Sequence, residues 1–221
     1  MSIRNKIVSQ IRPYMDEHGY TFSKNHFYKI HNDIAYCLDF DVPGGLVYAT
    51  FFIIPLYMPT QNRYYTYGNR VSSLRRSKLL PLSKNALDDE LKAWCEHLCK
   101  DLEKYVFPFF NEITTPSKLM NVIEKKKYLA APFFSCPPVQ ISRLQLYSYL
   151  YVEDFEKLYL LIKKYPLIIQ ESTYLSETVR TSFLEENDVI VKLVHEDVQT
   201  VRAFYTKTTQ DTIHNCFESV R

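Results

Sequence analysis

The sequence predicts an α+β protein, in which an antiparallel sheet precedes a set of helices. Three segments of the first third, residues 27–29, 34–42 and 46–58, have strand-like apolar patterns and are separated by turn residues. After about residue 85, apolar residues recur at the spacing of three and four that is typical of helices. Strands followed by helices are typical of the α+β class. We therefore expect an N-terminal antiparallel sheet of three to four strands packed with helices, followed by an all-helical C-terminal subdomain.

A helix is expected at the start of the chain. Its apolar stripe recurs every four residues and consists of Ile3, Ile7, Ile11 and Met15. Pro13 should kink or restart this helix, because proline lacks the backbone N–H that a helix needs for its hydrogen bonds. Gly19 should end it, since glycine readily adopts the left-handed conformation found at helix C-termini.

The clearest strand covers residues 34–42. Its apolar face consists of Ile34, Tyr36, Leu38, Phe40 and Val42. Asp39 and Asp41 lie on the opposite face, because side chains alternate along a strand. The Pro43-Gly44-Gly45 run predicts a hairpin turn. Residues 46–54 are apolar at both alternating sets of positions, which indicates a central strand covered on both faces.

Helices are expected through the rest of the chain. Ser83 or Asn85 can cap the first of them, and Thr115 before a proline is typical of the start of another. Pro166 should stop a later helix that begins near Phe155.

A proline-rich connector at residues 130–138 is a candidate boundary between two parts of the chain. We therefore divide the chain into an α+β domain at 1–129, with a helix, a β-meander and two helices, and a helical subdomain at 138–221.

The composition disfavours several classes of partner and compartment. A net charge of +2 is too small to indicate a nucleic-acid or membrane partner. No apolar run approaches the length that spans a membrane, and the first residues lack the apolar core of a signal peptide. Five cysteines without the spacing of a disulfide framework fit a reducing compartment, so a cytoplasmic location is expected.

No residue pattern predicts a catalytic site, a metal site or a cofactor. Cys95 and Cys99 lie one helical turn apart, but His97 points away from them and no further pair completes a zinc site, so buried thiols are the better interpretation. Asp39 and Asp41 could hold a divalent metal, which leaves a metal-dependent phosphodiesterase or nuclease as an alternative function. A solvated strand face explains the same two carboxylates more simply.

Tyrosine and arginine are concentrated in one stretch. Residues 60–84 contain six arginines and lysines and no acidic residue. Arginine interleaved with tyrosine is typical of protein-interface hot spots and of nucleic-acid grooves. We predict partner contacts, against an acidic protein surface, from Arg63, Tyr64, Tyr65, Tyr67 and Arg70. RNA or DNA binding by residues 63–76 is a further alternative, although the rest of the chain is not basic enough to follow a phosphate backbone.

The N-terminal part also resembles a known family. The residues that carry the resemblance are Ile11, Pro13-Tyr14-Met15, Gly19-Tyr20, Ser23-Lys24 and Phe27-Tyr28-Lys29. This pattern is similar to that of a bacterial family catalogued as a domain of unknown function, in which a leading helix stops at a glycine and an aromatic residue before a β-meander. The resemblance covers about the first half of the chain. It implies a bacterial cytosolic protein, and some such proteins resemble immunity proteins, which neutralise a cognate toxin by binding it. A non-enzymatic, immunity-type binding protein is therefore the leading functional hypothesis.

Overall fold

The computed structural model describes residues 1–60, 67–127 and 132–218, and it has the α+β architecture that the sequence predicts. The strands are β1 (Thr21–Ser23), β2 (His26–His31), β3 (Ile34–Asp41), β4 (Leu46–Pro55), β5 (Tyr67–Arg70) and β6 (Leu82–Ser83). The helices are α1 (Ile3–Glu17), α2 (Asp88–Asp101), which continues into a π-helical turn (Leu102–Val106), α3 (Phe107–Glu112), α4 (Pro116–Glu124), α5 (Pro138–Tyr151), α6 (Phe155–Glu171), α7 (Glu177–Leu193) and α8 (Val198–Cys216).

The sheet is antiparallel and larger than predicted. Its strands follow the order β1-β2-β3-β4-β5, and β6 pairs with the first residues of β4, before the part of β4 that pairs with β5. The described residues thus form six strands, where the sequence predicted three to four. The additional strands contain only two to four residues each. An alternating pattern cannot be recognised over so short a length, because it needs several repeats of the two-residue period.

Strand β4 is the central strand that its doubly apolar sequence predicts. It pairs with β3 from Ile34 opposite Pro55 to Asp41 opposite Tyr48. The connecting turn contains Gly44 and Gly45 at φ angles of 60° and 83°, which glycine adopts without steric cost. The predicted hairpin is therefore confirmed, in both its turn and its pairing.

One face of the sheet forms the main core with the helices. The apolar stripe of α1 packs there, with Ile7 and Met15 fully buried. Buried side chains of the C-terminal helices, including Ile190 and Tyr205, belong to the same core. Residues from both predicted ranges, 1–129 and 138–221, therefore share one hydrophobic core, and their division into two units stays a prediction.

The opposite face of the sheet is partly covered by the end of α8. The ring of Phe217 stacks on Tyr28 at a centroid distance of 4.5 Å. The hydroxyl of Ser23 donates to the Phe217 carbonyl at 2.8 Å. Phe217 is only 3% exposed and forms a second apolar cluster with residues such as Phe52 and Ile54. The C-terminal part of the described chain thus packs on the face of the sheet that the first helices leave open.

Several predicted helix boundaries differ from the structure. Pro166 lies inside α6, which continues to Glu171, so the predicted stop is wrong. A single proline removes one N–H donor, and the packing of buried Tyr165 and Ile169 holds the helix on both sides of it. Helix α2 starts at Asp88, and the side chain of Glu90 accepts from the backbone N–H of Leu87 at 2.8 Å. The expected cap at Thr115 is present, where its hydroxyl accepts from the N–H of Lys118 at 3.2 Å.

Across the described ranges, no helix combines the length and the apolar character needed to cross a lipid bilayer.

Candidate functional site

The candidate functional site is a groove at the ends of several helices. It lies where the α5–α6 junction, the C-terminal end of α7 and the N-terminal two thirds of α8 meet the turn between β2 and β3. Its volume is about 660 Å³, within the range of about 300–1,000 Å³ that is typical of ligand sites. We call it the α8 groove, with Leu150, Leu193 and Val201 in its apolar lining.

Two tyrosines of the α8 groove are fixed by a cluster of rings. Tyr151 and Tyr205 meet edge to face at a centroid distance of 4.9 Å, and Tyr151 stacks on the buried Tyr57 at 4.6 Å. The hydroxyl of Tyr205 donates to the carbonyl of Tyr147 at 3.1 Å. Because the rings pack on one another and Tyr205 is tied to α5, this part of the lining is preformed.

The β2–β3 turn places a carboxylate at the groove. Asn32 and Asp33 have φ angles of 45° and 65°, as in the two-residue turns that match the twist of a hairpin. The Tyr151 hydroxyl donates to Asp33 Oδ2 at 2.8 Å, and the N–H of Leu56 donates to the Asp33 carbonyl at the same distance. Burial, followed by this contact with Asp33, raises the pKa of Tyr151 to about 12. Tyr151 is therefore a neutral hydrogen-bond donor at ordinary pH.

The rim of the α8 groove has an excess of negative charge. Three carboxylates and one guanidinium line it, from Asp33, Glu153, Glu196 and Arg202. Among the residues that the structure describes, none of these four takes part in an ion pair. The protein as a whole carries a charge of +2. The groove is thus a local acidic region on a weakly basic molecule.

Glu153 occupies a backbone position that normally favours glycine. It follows the C-cap residue of α5 with a φ angle of 59°, and its N–H donates to the Leu150 carbonyl at 3.2 Å. A left-handed conformation costs an ordinary residue about 1–2 kcal/mol. The fold therefore carries a glutamate on the rim at a cost that glycine would remove.

A largely buried ion pair ties two walls of the groove together. The guanidinium of Arg143 on α5 donates two hydrogen bonds to Glu186 on α7, one of them at 2.8 Å between Nη2 and Oε1. Nη2 also donates to the carbonyl of Pro59 at 3.1 Å. The two side chains are 14% and 24% exposed. This pair fixes α5 against α7 about two turns before the residues of each helix that line the groove.

Of the five predicted partner-contact residues, the structure describes Tyr67 and Arg70, and neither lines the α8 groove. Arg63, Tyr64 and Tyr65 fall outside the described residues. Tyr67 is 4% exposed, and its hydroxyl donates to the carbonyl of Gln140 at 3.0 Å. Arg70 pairs with a carboxylate of the sheet and stacks on a tyrosine ring, as described next. A contact role for these five residues stays a prediction.

Asp39 and Asp41 of β3 each form an ion pair with an arginine, Asp39 with Arg4 and Asp41 with Arg70. Asp39 pairs with Arg4, whose guanidinium opposes the rise in the pKa of Asp39 that burial causes. Asp41 accepts from Arg70 at 3.1 Å and from the hydroxyl of Thr50 at 3.0 Å. The Arg70 guanidinium also lies 3.7 Å from the centre of a tyrosine ring, that of Tyr48.

The described residues contain no group of three or more histidine, cysteine, aspartate or glutamate side chains placed to hold a metal ion. The two cysteines of α2 hold their thiols in the protonated form, since burial raises the pKa of Cys95 to about 12 and that of Cys99 to about 11.

Nucleic-acid binding is the other alternative function, predicted for residues 63–76. Arg75 and Arg76 of this stretch are exposed, as is Lys78 just after it. Both alternative functions stay hypotheses.

Comparisons with protein-family models, curated proteins and solved structures find no match to this chain. The resemblance of the first half to a bacterial family therefore stays a prediction. Sequence reasoning missed the α8 groove, because its charged residues are separated by up to 169 positions in sequence order, from 33 to 202. The sequence indicated only that helices end near residues 152–155 and 194–198, and not that these two junctions lie side by side.

Proposed function

We propose that this protein is a non-enzymatic, cytoplasmic binding protein of immunity type, which binds a protein partner through the α8 groove. The observation that carries the proposal is the combination of a preformed apolar lining with exposed apolar side chains at its edge. Phe155 and Val198 are 42% and 56% exposed and line the groove. Exposed apolar surface that continues out of a concave site is typical of protein-interaction sites.

The chemistry of the lining favours binding over catalysis. Burial raises the pKa of Tyr205 well above its ordinary range and that of Tyr151 to about 12, so both hydroxyls stay protonated. Protonated hydroxyls donate hydrogen bonds but are poor nucleophiles and bases. The rim carboxylates of Glu153 and Glu196 are exposed and take part in no ion pair among the described residues, which supports recognition of a charged partner.

Co-expression with the product of a neighbouring gene tests the proposal. Where that product arrests growth, the intact protein should restore it, and the two proteins should purify as a one-to-one complex. Phe155→Ala should weaken the complex by about 2 kcal/mol, or about 30-fold in Kd, if the ring is an anchor of the interface.

Tyr174→Ala is the matched control, because Tyr174 is 57% exposed and lies away from the groove. It should leave both growth and affinity unchanged. Equal effects of the two substitutions, or no complex with the neighbouring product, would reject an immunity role for the groove.

A further inference from the structure

The α8 groove has a charge pattern that selects among partners. Resting on the proposed function, we propose that its occupant is a basic, amphipathic segment of the protein partner, with apolar side chains on the groove lining and lysine or arginine at the rim.

Charge is the first support for this choice. Asp33, Glu153 and Glu196 outnumber Arg202 at the rim, and none of the four is neutralised within the described chain. A basic segment would find three carboxylates there, one of which also accepts from Tyr151, whereas an acidic segment would find one cation. Because the whole molecule carries +2, attraction of a basic segment must come from this local region and not from the net charge.

The apolar lining is the second support. Leu150, Leu193 and Val201 form a surface that a purely charged ligand would leave exposed to water. The exposed side chains of Phe155 and Val198 extend this apolar surface beyond the groove. A segment that is apolar on one side and basic on the other matches both parts, as an amphipathic helix does when it binds in a groove.

The backbone of Glu153 is the third support. Its φ of 59° is unfavourable for glutamate, and glycine would relieve the cost. Residues held in such conformations are found preferentially at functional sites. An ion pair between the Glu153 carboxylate and a cation of the partner would explain why this position holds a glutamate and not a glycine.

Two synthetic peptides test the inference by fluorescence anisotropy. Both are 14 residues long and place leucine on one helical face, but one has lysine and the other glutamate at the remaining positions. The lysine peptide should bind the intact protein, and its affinity should fall as salt is raised. The glutamate peptide should bind at least about tenfold more weakly.

Glu153→Gly separates a role in binding from a role in folding. It should raise the melting temperature by about 2–8 °C, because the backbone cost of about 1–2 kcal/mol at the left-handed position is relieved. It should also weaken binding of the lysine peptide by about two- to fivefold, as expected for one exposed ion pair. The control is Lys126→Gly, since Lys126 follows the C-cap of α4 with a φ of 51° and lies away from the groove. This control should raise the melting temperature and leave binding unchanged.

Four results would overturn the inference. The first is that the glutamate peptide binds as tightly as the lysine peptide or more tightly, and the second is that neither peptide binds. The third is that Glu153→Gly leaves the affinity for the lysine peptide unchanged. The fourth is that n-octylamine binds as tightly as the lysine peptide, which would assign the groove to small organic cations. The proposed function is judged separately, by growth rescue and by Phe155→Ala in the complex with the neighbouring gene product.

Discussion

Replacing one member of the largely buried ion pair between α5 and α7 should destabilise the fold more than replacing both members. Arg143 and Glu186 are 14% and 24% exposed, so neither charge can be fully solvated once its partner is lost. Loss of one member of such a pair typically costs about 3–5 kcal/mol. Arg143→Met and Glu186→Leu should therefore each destabilise the fold by about that amount. For a chain of this size the melting temperature should fall by about 2–4 °C per kcal/mol, or about 6–20 °C.

The double variant should lose much less than the sum of the two single variants. With both charges gone, two polar groups lose a partner: the carbonyl of Pro59 loses its donor Nη2 of Arg143, and the hydroxyl of Tyr147 loses the side chain of Glu186. A buried acceptor left without a hydrogen bond costs about 1–3 kcal/mol. The double variant should thus be more stable than either single variant.

Urea unfolding followed by circular dichroism gives the four free energies of this cycle. The control is the pair of Lys207 and Asp211 on α8, whose side chains are 76% and 56% exposed. Removing either of these should change stability by less than about 0.5 kcal/mol, because exposed pairs are screened by water. A double variant as unstable as the two single losses added together would refute the reasoning, since it would mean that the two side chains act independently.

Two further predictions concern a close backbone approach and a buried thiol. Gly68→Ala should cost about 3 kcal/mol or more, because the new Cβ would lie 2.1 Å from the carbonyl oxygen of Phe51. Gly44→Ala, whose Cβ meets nothing within 4 Å, should cost only about 1–2 kcal/mol for its positive φ; similar melting temperatures for the two variants would contradict this. Cys99 should react with iodoacetamide at pH 8 about a hundredfold more slowly in the native protein than in urea, because burial raises its pKa from 9.0 to about 11. Mass spectrometry measures both rates, and equal labelling would show that the thiol is not protected by its surroundings.

The parts of the fold that follow from local patterns could be predicted. The alternation of β3 and the doubly apolar sequence of β4 reflect a two-residue period, which is visible in the sequence over eight to ten residues. The apolar stripe of α1 is equally local. Strand β6, with two residues, has no such pattern and exists because Val47 and Leu82 are brought together by the rest of the fold.

The candidate site could not be predicted, because it depends on tertiary contacts. Asp33 reaches the α8 groove through a hairpin turn, and Glu196 reaches it through the turn between two helices. Neither residue has a motif around it. The same is true of Arg143 and Glu186, since a charged residue in a helical pattern is ordinarily placed on the solvated face. Tyr67 shows the converse case, because its tyrosine- and arginine-rich surroundings indicated a contact surface while its ring is buried.

The position of Phe217 has a consequence for how the chain acquires its structure during synthesis. The strands that Phe217 covers are complete by Pro55, yet roughly 160 further residues must be added before Phe217 emerges from the ribosome. At about 5–20 residues per second this takes on the order of 10–30 s. During that time Phe52 and Ile54 present an uncovered apolar sheet face. Such a face binds chaperones and promotes aggregation with other nascent chains. The chain is thus most vulnerable to aggregation while it is being made, and a ribosome that stalls within α8 would leave this face open.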